Sequence, residues 1–311
     1  MARVLRTIGV AVASAAVALT VGIAFGPNAS ADTTSRTSPA GYRAADCSGQ
    51  AVTGRGYGRA GDLFALTGGR TLVLLDGKSL KARRTVKVNG LAYGERLVGI
   101  DVRPANKQLY GVGSSSRLYT VDPRSGKASP VGPQFTPALS GTRFGVDVNP
   151  VPDRIRVVSD AGQNLRLDPN TGQATMDTNL AYATGDSGAK AGYGPQVTAA
   201  GYTNSVAGAT GTTLYGIDTR RDVLVLQGSK QGATPVVSPN TGQLTTVGRL
   251  GLRVDRLTGF DIANGSNAGI AAVRVEGRQW SRVVKIDLNS GRASTRAVLR
   301  YAVDGLTISM G

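Results

Sequence analysis

The 311-residue chain contains no histidine. That absence excludes Ser-His-Asp and Cys-His nucleophile chemistry, a histidine general base and histidine-ligated zinc. There is one cysteine, Cys47, so no disulfide forms within the chain and no thiolate cluster can hold a metal. Only two of the 20 acidic residues are glutamates, Glu95 and Glu276. Glutamate is a strong helix former, and its scarcity argues against a helical fold. A long, uncharged, mainly apolar run occurs at residues 8–25, close to the N-terminus.

What is abundant points to strands and turns. Glycine accounts for 43 residues spread along the chain, and the runs between them are dominated by Val, Thr, Leu and Ala. The apolar fraction of 41% is that of an ordered protein. Lys and Arg number 36 against 20 acids, a net charge of +16. Such an excess attracts polyanions, and it also serves solubility.

Arg3 and Arg6 precede the N-terminal apolar run, "GPN" breaks it, and Ala29-Ser30-Ala31 supplies an A-x-A cleavage pattern. The sequence therefore predicts a secretory signal over residues 1–31, cleaved near Ala31, and a mature protein that is secreted or held in the cell envelope. An uncleaved anchor is the alternative, because the run approaches membrane-spanning length. Residues 32–60 lack periodicity and read as a flexible, low-complexity tail. Cys47 falls within it, as a free or intermolecularly paired thiol on a protein expected to be a monomer.

From residue 61 onward the chain repeats itself. A turn unit starts at Asp122 ("DPRSGK"), Asp168 ("DPNTGQ"), Ser238 ("SPNTGQ") and Asp287 ("DLNSGR"), with a degenerate copy at Asp76 ("DGKSLK"). Asp or Ser accepts a hydrogen bond from backbone two residues on, Pro presets φ, and Gly supplies the positive φ that closes a hairpin. Four strands, a to d, surround each turn. Strand a reads "LVGIDVRP", "RFGVDVNP", "VTAAGYTN" or "LTGFDIAN". The first unit lacks strand a, and the chain ends in "GLTIS", which matches it. These features predict an all-β fold: a β-propeller of four-stranded blades, five in number, closed by the C-terminal strand pairing into the first blade. A larger propeller with degenerate blades inside the longer fourth unit, and an open sandwich, are the alternatives.

The segments "FGVDVNPVPDRIRVVSDAGQNLRLDPNTGQ", "NLAY", "VTAAGYTN", "TTLYGIDT" and "GQLTTVG" resemble a secreted bacterial family known as domain of unknown function four-three-nine-four. The resemblance spans residues 62–309 and is most specific over 144–172. It implies the propeller-like fold and export, and it supplies no catalytic residue, because the family has no established activity.

In a propeller the b–c loops and the d-to-next-a loops emerge on one face, where ligands commonly sit. The b–c loop "SDAGQN" and the long connection over residues 178–196 fall there, which makes Asp160, Gln163, Asn164, Tyr182, Asp186 and Tyr193 candidate ligand-binding residues. Amides, carboxylates and aromatic rings suit carbohydrate or peptide; the same Asp and Asn also make tight turns unaided. Asp101, Asp147 and Asp261 follow glycines at equivalent places in strand a, with Tyr202 and Thr307 in the other two units. They are candidate channel carboxylates, or else recurring acceptors for neighbouring backbone. Lys81, Arg83, Arg84 and Lys87 in one outermost strand, and Arg292, Arg296 and Arg300 in another, form a candidate basic rim. Lys81, Arg83 and Lys87 share strand parity, as do Arg292, Arg296 and Arg300, so each set is expected on one face. The sequence offers no catalytic residue, metal ligand set or cofactor motif. The expected function is a non-catalytic binding module acting in the envelope or outside the cell, on carbohydrate, peptide or anionic envelope polymer and not physiologically on nucleic acid. The alternatives are a carboxylate-based polysaccharide hydrolase or lyase, and a basic surface protein that holds anionic wall polymer.

Overall fold

The computed structural model describes residues 58–311. The expected signal, most of the tail, and Cys47 lie outside the described residues. Blade one contains β1 (Leu63–Thr67), β2 (Thr71–Leu75) and β3 (Ala82–Lys87). Blade two contains β4 (Leu97–Val102), β5 (Leu109–Gly113), β6 (Arg117–Val121) and β7 (Ala128–Val131). Blade three contains β8 (Phe144–Asn149), β9 (Arg154–Ser159), β10 (Asn164–Leu167) and β11 (Ala174–Met176). Blade four contains β12 (Ala181–Tyr182), β13 (Val197–Tyr202), β14 (Leu214–Asp218), β15 (Val223–Gln227) and β16 (Gln243–Arg249). Blade five contains β17 (Val254–Asp261), β18 (Ala268–Val275), β19 (Ser281–Asp287) and β20 (Ala293–Leu299). The last strand, β21 (Gly305–Ile308), pairs antiparallel with β1, Leu63 opposite Ile308 and Leu66 opposite Gly305. The chain therefore closes its own ring as the sequence predicts. The fourth blade adds a fifth strand, since β12 runs parallel to β16 on its outer edge. No α-helix occurs among the described residues, and none of their helices is long and apolar enough to cross a membrane.

Each seam between blades holds its own apolar cluster. Phe64, Leu66 and Leu97 meet between blades one and two, and Val112, Phe144 and Ile155 between two and three. Val158, Val197 and Leu214 fill the next seam, then Leu224, Phe260 and Val284, then Leu63, Val283 and Leu306. A strand in such a fold buries both faces, which explains near-continuous apolar runs such as "TLVLL". Each fully buried Leu, Ile or Phe contributes about 1.5–3 kcal/mol.

The repeated hairpin makes the hydrogen bonds its sequence calls for. Asp122, Asp168 and Asp287 accept from the N–H two residues on, at 2.8, 2.8 and 3.0 Å. The fifth residue of each, Gly126, Gly172 or Gly291, has φ of 74°. In the degenerate copy Leu80 takes that place with φ of 57°. The hairpin glycine meets a second demand that no turn rule contains. A Cβ on Gly172 would overlap the carbonyl oxygen of Val131 at the end of β7, and one on Gly126 would overlap that of Lys87 at the end of β3. These two hairpins, and that of Gly291 against Gly248, are thus pressed against strand d of the preceding blade.

The outermost strands correct one expectation. A β-bulge leaves Arg83 without an opposite residue, since Leu74 faces Arg84 and Leu75 faces Ala82. A second bulge does the same to Arg296. An extra residue reverses the alternation beyond it, so neither basic set shares one face by parity. Arg83 turns inward to pair with Asp62 at 3.2 Å and with Asp76. Lys81, Arg84, Lys87, Arg292, Arg296 and Arg300 are exposed.

Candidate functional site: the arginine-lined channel mouth

The innermost strands, β21, β4, β8, β13 and β17, line the axis in that order. Their residues form three layers. The middle layer consists of Gly99, Gly145, Ala199, Gly259 and Gly305, around a space of about 10 Å³. A Cβ on Gly145 would overlap the backbone of Ala199, and one on Gly259 the backbone of Leu306. At Gly145 and Gly259 the strands approach too closely for a side chain, so the axis is narrow between its two ends.

Two residues further along, about 7 Å at strand rise, lies the aspartate layer. Asp101, Asp147 and Asp261 are buried, with one oxygen of each within 4.8 Å of the others. Asp101 Oδ2 accepts from the Val148 N–H at 2.7 Å, Asp147 Oδ1 from the Tyr202 N–H at 3.0 Å, and Asp261 Oδ2 from the Ile308 N–H at 2.7 Å. Thr307 Oγ1 accepts from the Val102 N–H at 3.2 Å and donates to Asp101 Oδ1 at 2.6 Å. Each side chain therefore holds the backbone of the next inner strand. In blade four the equivalent residue is Gly201, which pairs with Tyr215 as Asp101 pairs with Tyr110. Tyr202, expected at that place, is one residue further on, because a unit without a Gly-x-Asp signature leaves the register open in the sequence. Lacking a side chain there, the step from blade four to five is made by the hydroxyls of Thr198 and Thr258, 2.7 Å apart. Burial, reinforced by neighbouring carboxylates, drives the Asp101 and Asp147 pKa values well up; burial lifts Asp261 to about 6. Three such oxygens could hold a hard cation or share protons.

At the other end, Arg96, Arg143, Arg256 and Asp304 open onto one concavity of about 20 Å³. Arg96, Arg143 and Asp304 immediately precede β4, β8 and β21, Gln196 precedes β13, and Arg256 lies near the start of β17. With its amide oriented to satisfy both neighbours, Gln196 accepts from Arg220 at 2.8 Å and Arg256 at 3.2 Å. Arg256 also lies 3.6 Å from Asp160. Burial raises the Asp304 pKa, against the pull of the Gly69 N–H and the charges of Arg143 and Arg96. Burial alone would raise that of Asp160 too, but donors on Thr142 and Arg143 and the charge of Arg256 outweigh it and hold it low. Sequence reasoning passed over these arginines. Their signal is in the repeat: an arginine stands before Leu97, Phe144 and Leu257 in three of the five units.

The residues expected to bind ligand divide by role. Asn164 is fully buried; its Oδ1 accepts from Arg156 at 2.7 Å and Gln227 at 3.1 Å, and its amide donates to Thr178 and Pro239 carbonyls. The buried Arg156 it holds also reaches Asp177 at 2.7 Å and Asn240 at 2.6 Å, tying blade three to blade four. Gln163 is buried as well, bonded to the backbone of Ser140 and Ala138 at 2.8 Å each. Asp186 accepts from Thr246 and Gly188 and pins the long connection to β16. Asp160 belongs to the mouth. Tyr182 lies under Arg221 at 5.0 Å, and Tyr193 under Arg220 at 4.9 Å.

A five-bladed propeller with a narrow axis and an arginine-lined mouth is the class these features define. The chain belongs to the family described as Domain of unknown function (DUF4394), whose model matches residues 71–307. No curated protein matches the sequence. Among solved structures, the chain is similar to one reported as the crystal structure of a nidogen/laminin complex, at 11% identity and a TM-score of 0.45, over 80% of this chain and 98% of that one. It is also similar to dihydro-heme d1 dehydrogenase NirN in complex with DHE, at 12% identity and a TM-score of 0.37. That match covers 79% of this chain and 45% of the other, so this chain spans less than half of that protein.

Proposed function

We propose that this protein is an exported, non-catalytic binding module that takes an anionic ligand at its channel mouth. The observation that carries this reading is the convergence of Arg96, Arg143 and Arg256 on one concavity at the end of the axis. Arginine forks suit carboxylate, sulfate or phosphate groups better than lysine does. The reading as a binder in preference to a hydrolase rests on the two mouth carboxyls. Asp160 already accepts from Thr142 and Arg143 through Oδ1 and from the Thr142 hydroxyl through Oδ2, and Asp304 Oδ2 accepts from Gly69 at 2.9 Å. Such groups hold loops in place. The N-terminal signature supports the reading of export, with a ligand of the envelope or outside the cell.

The test is charge reversal at the mouth, with polygalacturonate as the anionic probe. Arg96→Glu combined with Arg143→Glu is expected to lower affinity roughly tenfold or more. Reversing the exposed rim residues Lys81, Arg84, Arg292 and Arg300 is expected to have a small, salt-screened effect. Equal binding by the mouth variant and the wild type would remove the proposal.

A further inference from the structure

Resting on the reading of the mouth as a ligand site, we propose that the ligand is an acidic polysaccharide, and that arginine-capped aromatic rings on blades four and five carry its sugar units beyond the mouth. The b–c loop of blade four presents Arg220 and Arg221 in succession. Arg220 stands over Tyr193, whose side chain is half exposed, and Arg221 over Tyr182. In the b–c loop of blade five, Trp280 is flanked by Arg278 at 5.9 Å and by Arg282 at 5.5 Å. Arg220 is joined to the mouth through Gln196, which also receives Arg256.

The platform on blade four is braced from beneath. Tyr182 donates its hydroxyl to Asp218 at 2.5 Å, and Asp218 accepts from the backbone N–H of Gln196 at 3.2 Å and of Arg220 at 2.9 Å. Asp186 fixes the connection that carries both tyrosines. Side chains held in this way lose little entropy when a ligand arrives.

The chemistry selects the ligand class. An aromatic face not covered by arginine stacks on the C–H face of a sugar ring, and half-exposed Tyr193 offers one; the arginine over the ring calls for an acidic substituent. A peptide would need apolar pockets for its side chains, whereas the groups packed on these rings are arginines. A phosphate polymer without sugar rings would leave the aromatic rings unused.

The experiment is calorimetric titration with galacturonate oligomers of one to eight units, beside polyglycerol phosphate, poly-glutamate and a neutral glucan. Wild-type affinity is expected to rise about tenfold or more from monomer to hexamer. Tyr193→Ala, and separately Trp280→Ala, are expected to lose most of that gain, to bind the monomer as wild type does and to keep the wild-type melting temperature. Absence of length dependence, unchanged hexamer affinity in both track variants, or equally tight binding of polyglycerol phosphate or poly-glutamate would overturn the proposal. If Arg96→Glu with Arg143→Glu abolishes binding while the track variants do not weaken it, the mouth stands and the track falls. If neither set matters, both fall.

Discussion

Asp147 is 1% exposed and holds the N–H of Tyr202 through one oxygen, within reach of the carboxylates of Asp101 and Asp261. The cost of charging this group decides how the protein responds to pH. With no histidine in the chain, side-chain titration just above the ordinary carboxylate range falls to carboxyls raised by burial. A carboxyl whose folded pKa exceeds its unfolded value binds more protons in the folded state. Its contribution is fully present below the unfolded value near 4 and is lost as pH rises through the folded one, about 6 for Asp261. Stability is therefore expected to fall from about pH 4 through pH 6, as read from denaturant midpoints. Asp147→Asn keeps the acceptor for Tyr202 and turns an N–H donor toward its neighbours, so it is expected to raise stability at pH 7.5 and flatten that slope. A slope unchanged by the substitution would show that the cluster does not carry it. The Gly-x-Asp spacing marked these three residues in the sequence. The same spacing offered them as channel carboxylates or as acceptors for neighbouring backbone; that they are both at once depends on how far each strand projects toward the axis.

The hairpin shows what local sequence can and cannot say. Asp-Pro-x-Thr-Gly identified the turn, its hydrogen bonds and its repetition. It could not reveal that the glycine also faces the backbone of the preceding blade, since that contact joins elements distant in the chain. Gly172→Ala is expected to cost about 2 kcal/mol or more: 1–2 for an L-residue at positive φ, and a further amount for the overlap with Val131. Urea unfolding measures it, and a loss under 0.5 kcal/mol would mean that the seam yields. The bulges at Arg83 and Arg296 were hidden for a related reason. Period-2 reading assumes an unbroken ladder, and a bulge is set by the twist of the partner strand. The fifth strand of blade four was also out of reach, since Ala181 and Tyr182 alone carry no strand signal.

At the scale of the molecule, ring closure was the most legible feature, because a strand missing at one end and surplus at the other has one economical arrangement. The mouth was the least legible. Arg96, Arg143 and Arg256 are distant in the chain and meet only because five inner strands begin around one axis. Of the candidates chosen from loop composition, Gln163, Asn164 and Asp186 brace loops, Asp160 stands beside Arg256, and Tyr182 and Tyr193 lie under arginines, while arginines at strand entrances line the concavity. The most direct measurement is hydrogen–deuterium exchange with and without a galacturonate hexamer. Protection is expected at residues 88–96, 132–143, 190–196 and 250–256, the segments that lead into the inner strands at the mouth, and at the b–c loop 219–222. Protection confined to β3 and β20, or to the hairpins on the opposite side, would contradict the mouth as the binding site and favour the rim.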